Sequence, residues 1–177
     1  MMNRIEIEYR LQNDLELQQL LTIVARLNLP DWWICAGVLR SKIWNVKRHG
    51  TSDIDIVYFD SLDISEETEK QYEQCLNTQI DLPWSVKNQA RMHTVNDLPP
   101  YASAQDAIAQ FPETVTAIGV TRRPDFELYL PYGADDFTDR IIRPTPSFQV
   151  SGDRHSIFQR RVSEKGWRDD PSLHIQT

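Results

Sequence analysis

Two aspartates spaced two positions apart, Asp53 and Asp55, are the residues of this sequence best suited to chemistry. They alternate with Ile54 and Ile56 in a segment whose β-branched residues and period of two predict a strand over residues 54–59. Because residues two apart on a strand point to the same face, the two carboxylates are expected to leave the sheet side by side. Like charges placed this closely repel each other unless a cation lies between them.

Paired carboxylates of this kind suit Mg²⁺ or Mn²⁺, which prefer oxygen ligands and keep coordination positions open for substrate phosphates. Two metal ions held there would activate an attacking hydroxyl and stabilise a leaving pyrophosphate. The alternative interpretation of Asp53 and Asp55 is an exposed strand edge with solvated aspartates. Upstream of the pair, Gly37 ends an apolar run. A glycine there lets the backbone approach a phosphate closely, and a helix that begins after it would favour the anion.

The elements that must position these residues alternate along the chain, which favours a layered α/β structure with a small mixed β-sheet flanked by helices. Apolar periodicity, capping residues and turn residues predict both kinds of element. Residues 49–52 are predicted to form a turn and residues 89–93 the exit from a strand. The predicted strands cover residues 54–59, 84–89 and 126–132, and the predicted helices cover residues 15–29, 65–76, 103–111, 112–119 and 153–166.

Length and composition predict one soluble domain over residues 1–177, with a polar tail after the last helix that is docked by Trp167 and Leu173. No apolar run approaches the ~20 residues of a membrane span, and residues 1–10 lack the apolar stretch of a signal peptide. We therefore expect a cytoplasmic protein without a membrane partner. A net charge of −7 argues against binding to a long nucleic acid.

Motifs at residues 36–44, 51–60, 84–93 and 131–136, followed by Arg143 and Pro144, together resemble the DNA polymerase beta-like nucleotidyltransferase superfamily. The likeness is closer still to a bacterial family of small predicted nucleotidyltransferases, and it covers about residues 15 to 170. The resemblance implies a minimal nucleotidyltransferase fold. It also implies transfer of a nucleotidyl group from a nucleoside triphosphate to an unknown acceptor hydroxyl, with Asp53 and Asp55 as ligands of Mg²⁺ or Mn²⁺.

Two departures from the superfamily pattern add candidate residues. The superfamily usually has Gly-Ser at its phosphate-binding turn, whereas Val38 follows Gly37 here, so Arg40 and Ser41 become nucleotide-binding candidates. The superfamily also usually carries a third carboxylate on a later strand. In the corresponding segment Asp81 is the only acid, and we take it as the third catalytic candidate.

The absence of an acid in the middle of that strand keeps other functions open. A member of the fold that has lost catalysis and binds a nucleotide or a protein partner is the main alternative. A phosphoesterase that uses the same paired carboxylates is a third possibility.

A dense polar run after Trp84 supplies two further candidates, Lys87 and Arg91. If Lys87 and Gln89 share a strand face, they line a nucleotide pocket and Arg91 reaches a phosphate. The alternative is a hydrogen-bond network that holds the sheet to the following segment. Farther along the chain, Gly133 is expected to take a positive φ and Asp136 to cap a helix.

Overall fold

The computed structural model describes residues 2–46, 53–149 and 153–177. The turn predicted for residues 49–52 lies outside these ranges. Within them, the eight α-helices are α1 (Arg4–Gln12), α2 (Leu15–Ala25), α3 (Gly37–Ile43), α4 (Glu66–Gln79), α5 (Gln89–Asn96), α6 (Ala104–Ala109), α7 (Asp135–Thr138) and α8 (His155–Glu164). The seven strands in the same ranges are β1 (Trp33–Cys35), β2 (Ile54–Tyr58), β3 (Trp84–Asn88), β4 (Gly119–Arg122), β5 (Phe126–Tyr129), β6 (Ile141–Ile142) and β7 (His174–Ile175). The predicted mixed α/β class is confirmed.

Five strands form one mixed sheet in the order β3-β2-β1-β4-β5. β2 runs parallel to β3, whereas β1 is antiparallel to both β2 and β4. The register places Asp55 of β2 opposite Cys35 of β1 on one side and Ser85 of β3 on the other. Because residues paired across neighbouring strands share a face, these three side chains leave the same side of the sheet.

Side-chain capping explains where helices α2 and α4 begin. The Asp14 carboxylate accepts a hydrogen bond from the Leu17 N–H at 2.8 Å and starts α2, whose apolar stripe is buried. Ser65 caps α4 in the same way. The acidic first turn of α4 complements the positive end of the helix dipole.

The two faces of the sheet differ in what covers them. One face, with Ile34 and Ile56, packs into the main core together with helices α1, α2, α3, α4 and α8. The opposite face packs against Ala104 and Ile108 of the short helix α6. Asp55 belongs to this second face, because it is paired with Cys35 of the second cluster.

Helix α4 closes the free edge of the sheet at β3. The Glu69 carboxylate accepts a hydrogen bond from the Asn88 N–H at 2.8 Å, and the Glu73 carboxylate accepts one from the Val86 N–H at 2.9 Å. An edge strand leaves such N–H groups unpaired. The two glutamates therefore complete the ladder that a further strand would otherwise provide.

The helix predicted for residues 112–119 is wrong. Glu113 forms a β-bridge with Pro144, the chain then turns, and β4 begins at Gly119. All residues of the 113–118 segment are buried, and a surface helix needs a polar face that such a segment does not have. Residues 89–93 also differ from the prediction, because they begin α5 instead of a simple strand exit.

Two predictions for the loop after β5 have different outcomes. Gly133 takes a φ of +73°, as predicted. Asp136 does not cap a helix, because it lies inside α7 and accepts hydrogen bonds from Thr114 at 2.6 Å and from Arg143 at 3.0 Å.

The C-terminal segment is docked more extensively than its polar composition predicts. Trp167 is buried and Leu173 packs against the core, as predicted. In addition, β7 pairs in parallel with β6. In the part of the chain that the structure describes, no helix is both long enough and apolar enough to cross a membrane.

Candidate active site

Asp55 lies on the face of the sheet that carries Cys35 and Ser85, and the charge of Asp53, two residues earlier, acts on it. Asp53 comes directly before the strand and is exposed, whereas Asp55 is the second residue of the strand and is half-buried. The Cys35 thiol donates a long hydrogen bond to the Asp55 carbonyl, with a Sγ–O distance of 3.7 Å. On the other side, the Ser85 hydroxyl donates to the Asp55 carboxylate. Asp55 is therefore held in place by both neighbouring strands.

The electrostatics of this pair favour a bound cation. Burial and the negative charge of Asp53 raise the pKa of Asp55 to about 6, although the charges of Lys165 and Arg161 act in the opposite direction. A divalent cation between the carboxylates relieves the same repulsion that raises this pKa. Within the described ranges, no group of three carboxylate, imidazole or thiol side chains is placed to hold a metal ion. The protein therefore offers two carboxylates to such an ion.

The turn from β1 into α3 lies beside the pair. Ala36 takes a φ of 61° and a ψ of −128°, and its N–H donates to the Ile118 carbonyl at 3.2 Å. Positive φ in a residue other than glycine is strained, and such strain concentrates at functional sites. A Cβ added at Gly37 would meet no atom of residues 2–46, 53–149 or 153–177 within 4 Å, so among these residues nothing covers the turn. The first N–H groups of α3, those of Gly37 and Val38, have no acceptor within the helix and can donate to a phosphate.

Two cations of α8 border the same site, and the sequence reasoning missed them. Arg161 and Lys165 are one helical turn apart, and the charges of both act on Asp55. Buried Glu113 accepts hydrogen bonds from Arg161 at 2.6 Å to Nε and 3.2 Å to Nη2. The only available sequence signal was the spacing of the two cations on the predicted last helix, because nothing local connects that helix to the aspartates.

Comparisons with known proteins identify the family and the fold of this chain. Residues 22–175 match the family model described as nucleotidyltransferase. A protein solved by NMR and described as revealing a CCA-adding enzyme head domain is 34% identical, with a TM-score of 0.84 over 99% of this chain and 96% of that chain. The chain belongs to the nucleotidyltransferase family.

The chain also shares its fold with larger CCA-adding enzymes. The Thermotoga maritima enzyme in complex with a tRNA is 12% identical, with a TM-score of 0.61 over 99% of this chain and 43% of that one. The Bacillus stearothermophilus enzyme in complex with CTP is 12% identical, with a TM-score of 0.61 over 92% of this chain and 41% of that one. The chain thus spans about two fifths of these two enzymes, and identity this low shows the fold alone. Among curated proteins, none matches this chain.

Three of the predicted nucleotide-binding residues lie on α3, in different environments. Gly37 begins the helix, whereas the Ser41 hydroxyl donates to the Gly37 carbonyl at 2.9 Å and is already bound within the helix. The Arg40 guanidinium lies 4.9 Å from the Trp167 ring and 5.7 Å from the Trp44 ring. Burial lowers the pKa of Arg40 to about 10, and its buried Nη1 has no hydrogen-bond partner among the described residues. Arg40 therefore joins α3 to the segment that follows α8.

Lys87 and Arg91 lie at the α4 edge of the sheet. Lys87 Nζ is 3.4 Å from a Glu69 carboxylate oxygen and 3.5 Å from one of Glu73. Arg91 pairs with Glu69 at 2.9 Å and with Glu66 at 2.8 Å. These ion pairs correspond to the structural network that was the alternative interpretation. Contact between either cation and a nucleotide stays a prediction.

Asp81, the predicted third carboxylate, is exposed in the loop before β3. The register places Ser85 beside Asp55 at the middle of the site. Because no three-ligand group occurs in the described ranges, the structure does not bring Asp81 together with Asp53 and Asp55.

Proposed function

We propose that this protein is a metal-dependent nucleotidyltransferase that moves a nucleotidyl group from a nucleoside triphosphate to an acceptor hydroxyl. The observation that carries the proposal is the register that places Asp55 opposite Cys35, just before the turn into α3 at Gly37, together with Asp53 two residues before Asp55. Carboxylates suit the cation of a nucleotide, and free N–H groups at a helix start suit its phosphates.

The residues present fit Mg²⁺ or Mn²⁺. Two carboxylates two residues apart leave coordination positions for phosphate oxygens and water, an arrangement that Mg²⁺ prefers. Burial, and after it the charge of Asp53, raise the pKa of Asp55 to about 6, and a cation bound to this carboxylate would offset both effects. When bound, the cation neutralises phosphate oxygens and makes the acceptor hydroxyl easier to deprotonate.

The protein's own groups hold and orient the donor. The Ser85 hydroxyl fixes the Asp55 carboxylate, and the N–H groups of Gly37 and Val38 donate to a phosphate. In the transfer, the acceptor oxygen forms a bond to the α-phosphorus while the bond from that phosphorus to the bridging oxygen breaks. The electron pair of the broken bond leaves with pyrophosphate, and the acceptor proton passes to solvent.

Several observations bear on the substrates. CCA-adding enzymes of the same fold have been solved with CTP and with ATP, which supports a nucleoside triphosphate as donor. The acceptor hydroxyl belongs to a small molecule, an RNA end or a protein side chain, and the net charge of −7 disfavours a long nucleic acid. Both cysteines are free thiols, which supports a cytoplasmic location.

Thermal unfolding with each nucleoside triphosphate and Mg²⁺ or Mn²⁺ tests the proposed site. The wild-type protein is expected to gain about 2.7 kcal/mol of stability when the ligand is at 100 times its Kd. The Asp53→Asn/Asp55→Asn variant is expected to lose this gain. Asp125→Asn, in the exposed turn between β4 and β5, is the matched control and keeps it. If nucleoside triphosphate and metal stabilise the double variant as much as the wild type, Asp53 and Asp55 do not form the binding site.

The second candidate function is binding of a nucleotide or a protein partner without catalysis. Ser85 beside Asp55 favours it, because the superfamily usually carries a third carboxylate on that strand. Release of pyrophosphate from the stabilising nucleotide separates the two functions: an enzyme releases it when an acceptor is supplied, whereas a binding protein does not.

A further inference from the structure

Arg161 is held in one orientation, and its Nη1 makes no hydrogen bond to any residue that the structure describes. Its Nε and Nη2 bind the two oxygens of Glu113, so Nη1 points away from that partner. The Arg161 side chain is 31% exposed, whereas that of Glu113 is fully buried. A bidentate pair fixes the plane of the guanidinium. Arg161 therefore presents a fixed cation at the surface.

The segment that holds Glu113 also borders the turn at the start of α3. The Thr116 hydroxyl donates to the Glu113 carboxylate at 2.6 Å, which fixes the carboxylate from a second side. At the end of the same segment, the Ile118 carbonyl accepts the Ala36 N–H. Arg161 is thereby tied to the end of the sheet where Gly37 lies.

The apolar residues of helix α8 are buried in the core, and the segment that follows the helix contacts α3. Phe158 is fully buried, and the Trp167 ring packs against the Arg40 guanidinium of α3. Lys165 stands one turn after Arg161, and its N–H donates to the Arg161 carbonyl at 3.0 Å. Lys165 is exposed, so both cations can reach a ligand at this end of the sheet.

The balance of charge at the site changes when a metal ion is bound. The charges of Arg161 and Lys165 act on Asp55 in the protein alone. A divalent cation on Asp53 and Asp55 would replace them in that role. Arg161 would still pair with Glu113. Glu164, whose charge also acts on Arg161, pairs with Arg160. The exposed Lys165 ammonium and Nη1 of Arg161 would then be left to bind a polyphosphate.

We propose that Arg161 and Lys165 form the subsite for the β- and γ-phosphates, the group that leaves as pyrophosphate. This inference rests on the proposed function and adds the direction of the donor, with its polyphosphate toward α8 and its nucleoside away from it. When the bond from the α-phosphorus to the bridging oxygen breaks, the departing pyrophosphate gains negative charge. The two cations stabilise that charge.

Isothermal titration calorimetry with pyrophosphate and Mg²⁺ tests the subsite without the nucleoside. Arg161→Gln and Lys165→Gln are each expected to weaken pyrophosphate binding about tenfold or more, because each removes a charge-assisted hydrogen bond. Arg161→Lys is expected to bind with intermediate affinity, because it keeps the charge and loses the planar fork. The matched control is Arg160→Gln on the same helix, 66% exposed and expected to keep wild-type affinity.

If Arg161→Gln and Lys165→Gln both bind pyrophosphate with wild-type affinity, these two residues do not form the proposed subsite. The Lys165 variant keeps this test valid even if Arg161→Gln unfolds, since Lys165 is exposed. Binding of nucleoside triphosphate by Asp53→Asn/Asp55→Asn distinguishes the two proposals. If that variant loses binding while both α8 variants bind pyrophosphate normally, the subsite alone fails. If that variant binds like the wild type, the proposed function fails.

Discussion

Both the face of the sheet at Asp53 and Asp55 and the edge where α4 meets β3 are rich in charge, yet their charges are balanced differently. At the edge, buried Glu69 binds Arg91, Lys87 and the Asn88 N–H. On the face, burial and a like charge keep the pKa of Asp55 raised in spite of two nearby cations. Charged side chains that pair within the protein stabilise the fold. A buried carboxyl whose pKa stays raised, as that of Asp55 does, indicates where a ligand binds.

The largest loss of stability is expected at the edge where α4 meets β3. Glu69→Ala leaves the Arg91 guanidinium and the Asn88 N–H without their partner, so the free energy of unfolding should fall by about 3–5 kcal/mol. Denaturant titration measures the loss. Glu67→Ala, exposed on the first turn of the same helix, is the control and should change little. A loss in Glu69→Ala no larger than that of the control would contradict the structural role of this network.

On the face of the sheet at Asp55, removal of a charge should raise the free energy of unfolding instead of lowering it. In metal-free buffer at about pH 7.5, Asp55→Asn is expected to be more stable than the wild type by about 1–3 kcal/mol. The folded pKa of about 6 lies above the ordinary 3.8, so the native state holds this proton more tightly than the unfolded state. The Asp55 contribution to stability therefore falls as the pH rises from 3.8 to 6 and stays low above that range.

Denaturant titrations of both proteins at about pH 7.5 and about pH 4 check this sign. The advantage of Asp55→Asn should largely disappear at the lower pH, where the wild-type carboxyl is protonated. If the stabilities of the two proteins differ by the same amount at both pH values, the pKa of Asp55 is not raised in the folded state.

The smallest effect is expected for Lys87→Met. The Lys87 side chain is 39% exposed, and its ion pairs are 3.4 and 3.5 Å long, so stability should change by less than about 1 kcal/mol. Affinity for a nucleoside triphosphate, measured by calorimetry, should stay at the wild-type value. A fall of about tenfold, as expected for a lost charged contact, would instead make Lys87 the nucleotide-binding residue that the sequence predicts.

Local patterns were sufficient to predict several elements. The alternation in residues 54–59 predicted β2 and the face that Asp55 takes, whereas Asp53 lies just before the strand and its role beside Asp55 stays a prediction. The 112–119 segment was misread because Pro112 suits the first turn of a helix. Its burial on all sides depends on packing against distant parts of the chain, which the local pattern does not contain.

The rest of the site depends on contacts between distant segments. The position of Arg161 near Asp55 results from the docking of α8 and from buried Glu113, and neither has a local signal. Conversely, Ser41 is near Gly37 in sequence, but the geometry of one helical turn satisfies its hydroxyl within α3.

The location of a bound paramagnetic ion tests the central claim most directly. Mn²⁺ would be titrated into the isotope-labelled protein with a non-hydrolysable nucleoside triphosphate, and the broadening of each backbone amide signal in NMR spectra would be recorded. The account predicts the strongest broadening at Asp53, Asp55 and Gly37. Strongest broadening at the acidic first turn of α4, around Glu66 and Glu67, would contradict it.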